Sequence, residues 1–153
     1  MANIAVMLGS YRRLDRYQGL TRLIGGVDEY SGCLERIGTL DIVRIRKLLN
    51  IDWPVGSVYI HDGIVAHVEF HHGGIYETNK SRIKNMIEYP DLIGKNPREP
   101  DSLELYIEES RLLLGIKRNM TGRYLFMATM YVLDNWEYKI YERLKSSRIR
   151  RFV

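Results

Sequence analysis

The 153 residues hold a single cysteine, Cys33. No internal disulfide can form, and the thiol is expected to be a small buried apolar side chain in a reducing compartment. No apolar run approaches the roughly 20 residues that a membrane span requires. The opening stretch MANIAVMLGSYRR carries its positive charges after its short apolar segment. That order is the reverse of a secretory leader, so the expected location is cytoplasmic. There is neither an internal repeat nor a low-complexity tract, and a hydrophobic fraction of 45 % excludes wholesale disorder. A chain of this length can bury about two-thirds of its unfolded surface in one domain, and it is too short for two comfortable cores.

The most legible stretch runs from Tyr89 to Leu133. Leu103, Leu105 and Ile107 alternate with Glu104, Tyr106 and Glu108, the period of a strand with one buried and one wet face. Leu112 to Lys117 is almost wholly apolar, as a central strand covered on both faces would be. Arg118 to Gly122 makes a hairpin connection. A third strand places Tyr124, Phe126, Ala128 and Met130 on one face and Leu125, Met127, Thr129 and Tyr131 on the other. Three of the four prolines, Pro90, Pro97 and Pro100, stand ahead of these strands and forbid a helix from running into them.

Upstream, Met7, Tyr11, Leu14, Tyr17, Leu20 and Leu23 recur at helical spacing, which predicts an amphipathic helix stopped by Gly25 and Gly26. Leu40, Val43, Ile45, Leu48 and Leu49 predict a second helix ending before Asn50. Trp53 to Gly56 turn into a brief strand from Ser57 to Ile60. Two readings remain open beyond it. Asp62 and Gly63 suit a hairpin, whereas Ile64, His67, Val68 and His71 share one helical face. Ile83, Met86 and Ile87 give Ile75 to Tyr89 a helical reading that Pro90 ends.

Charge is unevenly spread. Glu99, Asp101, Glu104, Glu108 and Glu109 form an acidic group, while Arg143, Lys145, Arg148, Arg150 and Arg151 make the tail basic. Such a tail either grips phosphates or is a solvated end that favours solubility. His67, His71 and His72 crowd into six residues, with His61 nearby. His67 and His71 have the i, i+4 spacing of a metal pair, but the chain lacks the glutamate of an HExxH motif and an evident third ligand. Histidine also exchanges protons near neutrality, which makes acid–base chemistry the other functional reading.

The order of GTLDIVRIRKLLNID, VYIHDGIVAHVEFHH, RIKNMIEYPDLIG and YERLKSSR resembles the phage-associated barnase/EndoU/colicin/RelE-like nucleases over roughly residues 37 to 153. Ser147 stands where the family often has glycine, and His71 where it usually has a basic residue. The resemblance implies an α+β fold with helices packed on one face of a roughly four-stranded antiparallel sheet and RNA across the open face; residues 1–36 lie outside it, and their apolar stripe predicts a helical extension that packs on the domain. It also favours the helix for Ile64 to His71. It implies a metal-independent endoribonuclease without cofactor, a phage or prophage toxin or effector in the host cytoplasm, partnered by RNA and by an immunity or antitoxin protein. The alternative is a non-catalytic RNA- or protein-binding phage module on the same fold. The implied catalytic set is His72, with His67 and His71 as rivals, together with Arg148, Tyr131 and Thr129. Lys117, Arg143, Lys145 and Arg150 would bind substrate.

Overall fold

The computed structural model describes residues 34–119 and 123–153. The expected N-terminal helix, Cys33 and part of the hairpin connection lie outside them. In chain order the described elements are β1 (Leu34–Thr39), α1 (Ile42–Leu49), β2 (Ser57–His61), α2 (Asp62–His72), α3 (Ile75–Asn79), a 3-10 turn (Lys80–Arg82), α4 (Ile83–Glu88), β3 (Leu92–Asn96), β4 (Glu99–Ile107), β5 (Leu112–Arg118), β6 (Leu125–Val132), α5 (Trp136–Lys145) and β7 (Ile149–Arg151). None of the described helices is long and apolar enough to cross a membrane.

Local chemistry sets most of the boundaries. The Asp41 carboxylate accepts the Arg44 backbone N–H at 3.0 Å and caps α1, which Asn50 ends in the left-handed conformation with φ 55°. Of the two readings beyond β2, the helix holds. It starts at Asp62, where a carboxylate suits the positive end of the helix dipole. It stops at Gly73 and Gly74, whose φ values of 37° and 76° suit residues without a Cβ. The helix expected from Ile75 to Tyr89 is interrupted. Asn79 donates to the Ile75 carbonyl at 2.9 Å and accepts from Arg82 at 2.7 Å, so its amide competes with the backbone ladder and a 3-10 turn intervenes.

Among the described residues the sheet has seven strands in the order β1-β2-β6-β5-β4-β3-β7, where roughly four were expected. It is mixed, because β2 runs parallel to β6 while every other neighbouring pair is antiparallel. Two of the additional strands escaped the pattern. β3 is five residues between Pro90 and Pro97, too short to show a period, and β7 lies in the basic tail. There Ile149 enters the core and Arg151 reaches the Glu108 carboxylate at 3.1 Å.

Helices lie against both faces, which corrects the one-faced arrangement. Leu103, Leu105 and Ile107 pack with Ile83, Met86 and Ile87 of α4. From the opposite face of the same strand, Tyr106 packs with Leu92, Leu113 and Ile149 and with Trp136 and Ile140 of α5. The face of β4 that reads as wet is therefore covered, and Glu104 and Tyr106 are 6 % and 0 % exposed. The separated charges also meet. Glu99 pairs with Lys117, Asp101 with Arg118, Glu104 with Arg148, Glu108 with Arg151 and Glu109 with Arg82. The boundary after residue 36 falls inside β1.

Ser147 joins α5 to β7 with φ 61°, a left-handed conformation that costs a residue with a Cβ roughly 1–2 kcal/mol. Glycine avoids that strain but loses more backbone entropy on folding. Ser147→Gly is therefore expected to stabilise by about 0.5–1 kcal/mol and to raise Tm by about 2 °C, and Ser147→Val to lower it. Equal melting temperatures for the three proteins would contradict the strain.

His61, at the end of β2, is 1 % exposed, with its Nε2 3.4 Å from the Tyr124 hydroxyl. Burial lowers its pKa to about 4, against the opposing pull of Asp62. The unfolded chain takes up this proton near pH 6.5, whereas the folded one resists until about pH 4. Stability present above pH 6.5 should thus drain away as pH falls through this window, by about 3 kcal/mol in total. Urea unfolding between pH 7.5 and 4 measures it. His61→Gln should flatten the slope, and an unchanged slope would assign the effect to other groups.

Candidate functional site

Tyr131, near the end of β6, shares a sheet face with the core of β4 and β5. Cross-strand registers align Tyr106, Leu113 and Tyr131 in one row and Glu104, Gly115 and Thr129 in the next. From the last turn of α2, the His72 ring stacks on Tyr131 with centroids 5.6 Å apart and planes 26° from parallel. The C-terminal segment supplies the cations. Arg148 NH2 donates to both Glu104 oxygens at 2.9 and 3.0 Å. Arg143 NH1 donates to the Tyr106 hydroxyl at 2.9 Å, and that hydroxyl donates to Glu104 Oε1 at 2.8 Å. The carboxylate thus accepts from one guanidinium and one phenol, and the phenol accepts from a second guanidinium. Two positive charges surround one negative charge, so the cluster keeps a surplus positive charge.

The protonation states follow from these neighbours. Burial and the Glu104 charge push the Tyr106 phenol far above its usual range, so it remains a donor. Tyr131 is raised by burial and by Glu104, with Arg143 and Arg148 pulling it down. Burial and the nearby His71 lower the His72 pKa from its ordinary value, which favours the neutral imidazole. Arg148 Nε is buried without a hydrogen-bond partner among the described residues.

Of the residues expected from sequence, His72, Tyr131, Arg143 and Arg148 meet here, drawn from α2, β6, α5 and the approach to β7. Thr129 and Lys117 lie on the same face. Thr129 is buried, and Lys117 is 3.2 Å from the Glu99 carboxylate. His67 is buried with its ring 4.5 Å from that of His71, one step removed from the His72 and Tyr131 stack. Lys145 is exposed over the Tyr141 ring. Arg150, opposite Ile93, stands on the other face of the sheet. Glu104 and Tyr106 are the residues the sequence reading missed, having been assigned to a wet face. Their i, i+2 spacing was the available signal.

Breaking a shielded ion pair from one side strands the other charge, so Glu104→Ala is expected to cost about 3 kcal/mol. Glu104→Ala with Arg148→Ala should cost clearly less than the sum of the single changes, with a coupling of about 1 kcal/mol or more. Additive losses in chemical denaturation would show that the pair does not act as a unit.

Comparisons with curated proteins and with solved structures gave no match. A family model did: phage-Barnase-EndoU-ColicinE5/D-RelE like nuclease3 matches residues 35–139. The matched segment runs from β1 into α5 and contains His72, Glu104 and Tyr131, while Arg143 and Arg148 follow it. With more than half of its length matched, the chain belongs to this phage-associated nuclease family.

Proposed function

We propose that the protein is a metal-independent endoribonuclease that cleaves by attack of a ribose 2′-hydroxyl on the adjacent phosphate. What carries this reading is the stack of a neutral imidazole, His72, on a protonated phenol, Tyr131, beside a cluster with surplus positive charge. In the proposed reaction His72 accepts the 2′-hydroxyl proton, the 2′-oxygen bonds to phosphorus, and the bond from phosphorus to the 5′-oxygen breaks. Tyr131 gives its proton to that leaving oxygen. Arg148 and Arg143, with Lys117 further along the face, stabilise the charge that builds on the phosphoryl oxygens. Thr129 offers a hydroxyl to the substrate, and Lys145 contacts flanking phosphates. The products are a 2′,3′-cyclic phosphate and a free 5′-hydroxyl. The corresponding biological role is that of a phage or prophage toxin or effector acting on cellular RNA, held in check by an immunity or antitoxin protein.

A second reading, a non-catalytic binding module, draws on one observation. The Arg148 NH2 group is already engaged by Glu104, which limits its fork for a phosphate. Turnover separates the two. Cleavage of RNA should persist in excess EDTA and spare DNA, which has no 2′-hydroxyl. His72→Ala should slow single-turnover cleavage by roughly 10² to 10⁴-fold. The rate should fall with decreasing pH through a midpoint lower than that of a free imidazole, because His72 works as a base when neutral and burial lowers its pKa. Activity restored only by a divalent ion would sink the mechanism. Wild-type cleavage by His72→Ala would move the role to His67 or His71, and RNA binding without cleavage by the wild type would leave the binding module.

A further inference from the structure

Two arginines of the C-terminal segment reach the Glu104 cluster, and they differ in the donors they keep. Arg148 spends Nη2 on both Glu104 oxygens, at 2.9 and 3.0 Å, and its Nε is buried with no acceptor among the described residues. A guanidinium grips a phosphate bidentately through two adjacent N–H groups. On Arg148 the edge formed by Nε and Nη2 is therefore closed. Arg143 is the reverse case. Only its Nη1 is engaged, donating to the Tyr106 hydroxyl at 2.9 Å, while Nε and Nη2 have no acceptor among the described residues and, unlike Arg148 Nε, are not buried. Its partner is a neutral phenol, so its charge is not cancelled at contact as that of Arg148 is.

Tyr106 fixes this difference in place. Its ring is fully buried among Leu92, Leu113, Ile140 and Ile149, with the Trp136 ring edge-on to it at 6.2 Å. The hydroxyl gives its one proton to Glu104 at 2.8 Å, which leaves its lone pairs for Arg143. Glu104 is already met by Arg148 at both oxygens, so the phenol is not needed to neutralise it. What the hydroxyl adds is the bond to Arg143. Trp136, Ile140 and Arg143 recur at i, i+4 and i+7 on α5, so the cluster that holds the Tyr106 ring also anchors the helix stripe from which Arg143 extends. That long side chain is tied at both ends. Of the two cations, Arg143 has the stronger pull on the Tyr131 phenol, as the nearer charge would.

We propose that Tyr106 is a positioning residue whose hydroxyl holds Arg143 with its edge of Nε and Nη2 turned to the phosphate beside Tyr131, so that Arg143 grips the phosphate while Arg148 holds the frame. This rests on the ribonuclease reading and divides the work between its two arginines. Tyr106→Phe, Arg143→Ala and the double variant are compared in single-turnover cleavage, in Tm and in affinity for a 2′-O-methyl RNA oligonucleotide that cannot be cleaved. Arg143→Ala should slow cleavage by roughly 10² to 10³-fold. Tyr106→Phe should slow it by about tenfold, because the donors are misplaced rather than removed, and it should add nothing to the loss in Arg143→Ala. A merely structural hydroxyl would lower Tm and rate in both backgrounds alike. Multiplying losses therefore overturn the proposal, as does undiminished cleavage by Tyr106→Phe. If loss of the hydroxyl prevents folding, lysine variants decide. Arg143→Lys keeps the charge and loses the fork, and it should lose more activity than Arg148→Lys, which still sets a cation on Glu104; the opposite order overturns the assignment. If the wild type cuts no RNA, the ribonuclease reading fails separately. The same comparisons are then read in oligonucleotide affinity, where equal binding by the wild type, Tyr106→Phe and Arg143→Ala overturns the positioning role.

Discussion

A buried carboxylate must be compensated where it stands, and Glu104 is the residue on which this architecture turns. Its side chain is 8 % exposed, so an unpaired charge there would be strongly unfavourable. Compensation arrives from 44 residues away in sequence through Arg148, and from the neighbouring Tyr106 phenol, itself held by Arg143. Satisfying one charge thereby fixes the direction of α5, the turn at Ser147 and the docking of β7 on β3. The same pairing gathers cations beside His72 and Tyr131, so structural neutralisation and the electrostatics of the candidate site are one arrangement.

That arrangement also explains how the basic tail behaves. Net charge is +4, yet each of the five acids between Glu99 and Glu109 has a cationic partner. Most of these pairs are exposed and contribute little to stability. Their effect is on the field: with the acids answered individually, they no longer oppose the approach of a polyanion to the face that holds the site.

The β4 to β6 strands could be read from sequence because β4 alternates in polarity, β5 is a short and almost wholly apolar run, and a turn separates it from β6. The second helix was readable through its spacing, whereas the stretch with His67 and His71 suited a helix or a hairpin, and only the family likeness favoured the helix that the structure has. β3 was not, since five residues between prolines carry too little pattern, and β7 was not, because an arginine-rich strand at a sheet edge looks like a solvated tail. The site was half legible. His72, Tyr131, Arg143 and Arg148 could be named from residue chemistry and family likeness, but Glu104 could not. Alternation separates two faces without telling which of them a later helix will cover.

The parallel contact between β2 and β6 has a consequence of its own. Its register comprises only Val58 with Leu125 and Tyr59 with Phe126, yet it joins the antiparallel pair of β1 and β2 to the five strands beyond. His72 follows β2 on one side of this seam, and Tyr131, Glu104 and the arginines belong to the other. Each block keeps its own antiparallel ladder if the seam parts. The packing across the seam is broader than its register: Val58, Ile60, Ile64 and Val68 on one side and Leu114, Phe126 and Met130 on the other share one buried cluster, so parting the seam would expose that core as well as separate His72 from Tyr131.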